Sequence, residues 1–221
     1  MKIKSYILTV IFLSVCIPAL SQTSDWGIWT NIGADISLTN KWRLGAEVEY
    51  RRKNNMRQTD QLVGGVDASY SLNRYMKIGV GYERIAEKDI PGNIFNHYNR
   101  YMFNLPFSYK YRRFSLGWRP RLQVDVEENY PANSDWVMRN RFSVKYEIPT
   151  LPLNPYMRIE LFNRVFTERI PSHYKDRIAA GMEYRIRQRH SVYLGYMVEP
   201  KYAISGTRKA NIIQTSCRFL F

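Results

Sequence analysis

Period-two alternation, sustained over unusually long segments, constrains this chain more than any other feature. In the stretch Trp26 to Arg51, Trp26, Ile28, Thr30, Ile32, Ala34, Ile36 and Leu38 share one parity, while Gly27, Trp29, Asn31, Gly33, Asp35 and Ser37 share the other. Thr39-Asn40-Lys41 interrupts the pattern, which resumes with Trp42, Leu44, Ala46, Val48 and Tyr50 opposite Arg43, Gly45, Glu47, Glu49 and Arg51. Strict alternation around a short Asn-containing break predicts a β-hairpin. Each arm has roughly 10 to 13 residues, against the 5 to 6 usual in soluble proteins. A tilted strand that crosses a bilayer needs about 9 to 11.

The unit repeats along the chain. SLTNKWRLGAEVEY is echoed by SLNRYMKIGVGYE, and further alternating windows cover Tyr101–Tyr109, Phe114–Val126, Trp136–Tyr146, Met157–Val165, Tyr174–Ile186, Val192–Val198 and the last residues to Phe221. Tight turns alternate with longer polar segments at Arg52–Asp60, Ala86–Asn96, Glu127–Asp135, Thr167–Ser172 and Pro200–Arg208, the pattern of a membrane barrel. Eleven windows are visible, but single-chain bacterial barrels normally have an even number. The expectation is an all-β, antiparallel up-and-down transmembrane barrel of 10 or 12 strands. With eleven, the first strand would have to start on the same side as the last. Pro106 and Pro120 fall inside neighbouring strands, where a missing donor predicts a bulge.

Residues 1–21 read as an export signal: Lys2 and Lys4, an apolar run from Tyr6 to Leu20, and small residues at Ala19 and Ser21. Cleavage after Ser21 leaves the barrel as 22–221. A lipid anchor on Cys16 is disfavoured because Val15 occupies the position that needs a small residue. Removing the segment takes two lysines and lowers the net charge from +14 to +12, with Cys217 the one remaining cysteine. The basic excess is interleaved with acids at strand spacing, without runs, so nucleic acid is not an expected partner. A mean hydropathy of −0.42 suits strands that alternate.

Face assignment follows from which parity carries what. The apolar parity gathers aromatics toward strand ends (Trp42, Tyr50, Tyr70, Tyr109, Trp136, Tyr146, Tyr174, Tyr184) and few charges, Arg84 and Asp176 among them. That predicts a lipid-facing exterior with aromatic girdles. The other parity holds most glycines and a candidate lumen charge network: Arg43, Glu47, Glu49, Asp67, Lys77, Glu83, Arg119, Arg121, Asp125, Arg139, Arg141, Glu147, Arg158, Glu160, Arg177 and Glu183. A soluble barrel would reverse this, with bulky apolar residues inside.

The hairpins DWGIWTNIGADISLTNKWRLGAEVEYR and SYSLNRYMKIGVGYE, the segment YEIPTLPLNPYMRIELF and the final Phe221 together resemble the domain-of-unknown-function family 2490. That resemblance implies a barrel in the outer membrane of a Gram-negative envelope. It supplies no activity and no site residues.

Function is less legible. The charged lumen is either a paired network that fills a narrow barrel or a basic-biased pocket or passage for anions; the first predicts a lumen closed to ions. A barrel enzyme that hydrolyses lipids or peptides would need a base, and the three histidines are His97, His173 and His190. Around His173, Ser172 and Asp176 are conceivable partners, but no spacing enforces a triad. No cofactor and no catalytic or metal-ligating set is expected. A soluble periplasmic ligand binder is the remaining rival class. Expected partners are outer-membrane lipid and the envelope's barrel assembly machinery, engaged through a terminal strand that ends in Phe221.

Overall fold

A computed structural model describes residues 25–88, 94–130, 134–166, 172–186, 189–204 and 206–221. The export signal, Cys16 and its cleavage position lie outside the described residues, as do most of the Thr167–Ser172 loop and two of the three residues of the turn at 187–189.

The strands are β1 (Asp25–Ser37), β2 (Trp42–Lys53), β3 (Gln58–Ser71), β4 (Lys77–Lys88), β5 (Phe95–Asn104), β6 (Phe107–Tyr111), β7 (Phe114–Glu127), β8 (Asp135–Tyr146), β9 (Leu153–Arg164), β10 (His173–Ile186), β11 (His190–Ala203) and β12 (Gly206–Leu220). Each pairs with its neighbours in one sheet, β5 and β6 both pair β7, and β1 pairs β12, so the sheet closes. β5 and β6 are two halves of one stave. The barrel therefore has eleven staves, within the expected 10–12 although not an even number.

An odd number forces one parallel pair, and it falls at the seam. β1 runs parallel to β12 from Asp25↔Ala210 to Asp35↔Leu220, while every other pair is antiparallel. The expectation of an even count came from a regularity of bacterial barrels rather than from the alternation itself, which already showed eleven windows.

The two prolines act differently from the bulge expected of them. β5 pairs β7 down to Asn104↔Arg121, and β6 resumes at Phe107↔Trp118 in the same register. The ladder breaks without slipping. Leu105 N donates to the Pro120 carbonyl and Lys77 N to the Pro106 carbonyl, but neither proline can return a bond. The bulges lie elsewhere, at Arg51/Arg52 and at His173/Lys175.

Two predicted loops are strand. β2 and β3 extend to Lys53 and from Gln58, joined by Asn54–Arg57 with positive φ at Asn54, Asn55 and Met56. β11 and β12 pair out to Ala203↔Gly206, inside the segment expected as the Pro200–Arg208 loop. Their polar character reflects strand ends that project beyond the apolar belt, not loss of strand.

The exterior is apolar. Ile32, Val48, Val66, Val80 and Leu194 are each between 55% and 60% exposed at mid-strand, and Leu44 and Leu116 lie outside as well. Aromatic pairs mark the belt's short-turn edge: Trp42 with Tyr70, Tyr75 with Tyr109, Phe114 with Tyr146. Tyr174 does not join them. As the extra residue of the His173/Lys175 bulge it turns inward, its ring 6.3 Å from that of buried Phe162.

Candidate functional site

The interior parity builds a cavity of about 960 Å³ along the lumen. Small residues make room for long charged ones. A side chain at Gly45 would collide with the Asp67 carboxylate, and one at Gly181 would meet the Leu194 carbonyl at 2.3 Å and the Tyr156 hydroxyl at 2.8 Å.

The charged residues fall into four groups. Arg100 grips Asp125 with two bonds of 2.6 and 2.7 Å and reaches Glu83 at 3.0 Å; Arg121, 3.7 Å from the same Glu83, also bonds Asn104 at 2.7 Å. Glu160, 1% exposed, receives Arg139 at 2.5 Å and Arg141, with Arg177 at 3.7 Å and Arg158 at 3.9 Å. Arg177 continues to Glu199 at 2.6 Å. Arg218 closes the seam by bonding Asp35 at 2.6 and 2.7 Å, with Glu47 at 3.6 Å. Glu183 takes Lys145 at 2.9 Å and the Tyr193 hydroxyl at 2.8 Å.

Some of the residues expected in the network stand apart. Glu49 pairs with its strand neighbour Arg51. Glu147 lies just past β8 at the short-turn rim, where a hydrogen bond from Lys110 at 2.7 Å, assisted by Arg185, holds its carboxyl below the usual carboxylate range. Among the described residues, Arg43, Asp67, Lys77 and Arg119 make no side-chain hydrogen bond or ion pair with another residue, although Asp67 feels the charge of Arg218 and, more weakly, those of Arg121 and Arg119.

Sequence reasoning missed three charged residues and one apolar feature. Arg100, Glu199 and Arg218 are integral to the pairing, and their parity alone could have found them. A band of apolar residues also points inward: Val63, Ile85, Val137, Phe162, Met197 and Ile212, all 4% exposed or less. Met197 and Ile212 pack with Trp29 and Ala179 as one buried cluster, and cations stack on the inward rings of Trp29 and Phe162. Arg51 and Arg177 lie 4.1 and 4.7 Å from the Trp29 ring, and Lys175 lies 4.4 Å from Phe162. Such contacts let guanidinium and ammonium groups tolerate a dry neighbourhood.

His173 sits on the outer wall at the long-loop rim. Its Nδ1 is 3.0 Å from Asn163 Oδ1, and its Nε2 is 3.0 Å from Asp176 Oδ1, whose other oxygen accepts from the Tyr202 hydroxyl at 2.8 Å. The ring nitrogens thus point at Asn163 and Asp176, and no hydrogen bond joins His173 to Ser172 among the described residues. His190 packs between Phe219 and Phe221.

The family described as "Protein of unknown function (DUF2490)" matches residues 26–210. The solved structure of LpxR from Salmonella typhimurium overlaps 80% of this chain and 83% of its own, at 9% identity and a TM-score of 0.49. No curated protein matches.

Proposed function

The chain belongs to the DUF2490 family of proteins of unknown function, and we propose that it is an outer-membrane β-barrel whose lumen is closed to steady ion flow. One observation carries the proposal. The apolar parity faces out around the whole ring, and the ionised parity faces in, where opposite charges meet across strands. An exterior of exposed Ile, Val and Leu between aromatic edges suits acyl chains and would be a liability in water. The strands are long enough for a tilted crossing. In this reading bilayer lipid is the partner of the outer wall. Residues 1–21 direct export, and β12, with Phe219 and Phe221 on its outer parity, is the segment engaged by the barrel assembly machinery.

Closure follows from the interior. The buried side chains of Trp29, Phe162, Met197 and Ile212 fill part of the lumen, and ion pairs occupy the space beside them. A permeating ion would have to displace paired groups in a poorly hydrated passage, which is costly. Purified protein reconstituted in planar bilayers should give no stable open-channel steps. Sustained, uniform conductance steps would contradict closure. Recovery of the chain in the soluble periplasmic fraction, rather than in outer membranes with heat-dependent gel mobility, would contradict the location.

A further inference from the structure

Charge is unevenly distributed around the lumen. On β7 and β8, Arg119 stands directly opposite Arg141, and Arg121 directly opposite Arg139. Arg158 on β9 follows on the next rung, across from Ser143. Like charges on facing positions of neighbouring strands repel. A guanidinium cannot relieve that repulsion by giving up its proton.

The carboxylates present do not absorb this charge. Glu160 offers two oxygens, and Arg139 and Arg141 already occupy both. Arg158 Nε is buried without a hydrogen-bond partner. Arg119 makes no hydrogen bond or ion pair among the described residues, yet it lines the cavity. Asp67, on β3, makes no ion pair among the described residues, and the cations whose charge reaches it are Arg218 first, then Arg121 and Arg119. Toward the short turns the β6–β8 wall carries the small residues Ser108, Ser115, Gly117 and Ser143, with Lys145 on the Ser115 rung; Ser108 and Ser143 are exposed, so this end is open to small solutes.

We propose that Arg119, Arg141 and Arg158, backed by Arg121 and Arg139, bind a small oxyanion of the phosphate or sulfate type that enters from the short-turn end. Planar guanidinium forks match the oxygens of such an anion and make charge-assisted bonds with it. The low dielectric of the lumen strengthens those bonds. The site exists whether or not the barrel conducts, so its test and the conductance test fail separately.

Calorimetric titration of the full chain in zwitterionic detergent, with inorganic phosphate and separately with sulfate at constant ionic strength, should give saturable binding of at least one. The double variant R119Q/R141Q should bind about tenfold or more weakly. R84Q, on the outer wall, should bind as the wild type does and serves as control. D67N keeps every arginine and removes a repelling carboxylate, so it should bind several-fold tighter and stands as the test if R119Q/R141Q does not fold. No saturable binding of either anion, unchanged affinity in a folded R119Q/R141Q, or an affinity in D67N no higher than in the wild type would each overturn the proposal.

Discussion

Replacing Glu160 by glutamine should lower the stability of the folded barrel by about 3–5 kcal/mol, the cost of breaking a buried ion pair from one side. Glu160 is 1% exposed and has four arginines within 4 Å: Arg139, Arg141, Arg158 and Arg177. Glutamine keeps the shape and one acceptor oxygen but leaves those guanidiniums without their shared countercharge. Urea unfolding in lipid or detergent, followed by gel mobility, should show a lower midpoint at unchanged slope. The comparison that isolates burial is Glu147→Gln. That carboxylate pairs with Lys110 at the rim, where the lysine side chain is 60% exposed, and its loss should cost at most about 1 kcal/mol. Equal effects at the two positions would mean that the lumen is wet enough to screen its charges.

An arginine placed on the outer belt should be the second most damaging change. Val66 is 56% exposed near the middle of β3, between Ala46 and Tyr82 on the adjoining strands. Val66→Arg should cost about 2–4 kcal/mol in a bilayer, because the cation meets hydrocarbon there. Tyr50→Arg, on the same wall but toward the long-loop end of β2, should cost no more than about 1 kcal/mol, since its side chain reaches the interface. In water the two would hardly differ. A depth-dependent penalty read from unfolding midpoints in liposomes is therefore a signature of lipid on this face.

Much of this architecture was legible because alternation reports directly on two environments. Leu44, Val80 and Leu116 face out and Glu47, Glu83 and Arg121 face in for the same reason: a pleated strand offers each successive side chain to the opposite side. Parity fails where the pleat does. Tyr174 carries the outward parity but turns in, because a bulge puts two consecutive residues on one side. The break at Pro106 resembles a bulge in sequence, since both remove a donor; only the register separates them.

Partnering was less legible than facing. Glu160 is distinguished from Glu147 by the strands around it, which sequence alone does not order at the level of rungs. The inward apolar band was hidden for a related reason. Val63, Phe162 and Met197 share a parity with glycines and charges, so each reads as an isolated exception until closure of the sheet buries them inside the ring.

Tryptophan offers the most direct test of which wall meets lipid. Trp118 lies on the outer wall, 43% exposed and stacked with Phe107 and Phe142, whereas Trp29 is 8% exposed inside the lumen beneath Arg51 and Arg177. Variants that retain only one of these indoles, reconstituted in bilayers with brominated acyl chains, should show strong fluorescence quenching at Trp118 and almost none at Trp29. Quenching of Trp29 with Trp118 spared, or of neither, would contradict an acyl-facing exterior around a charged core.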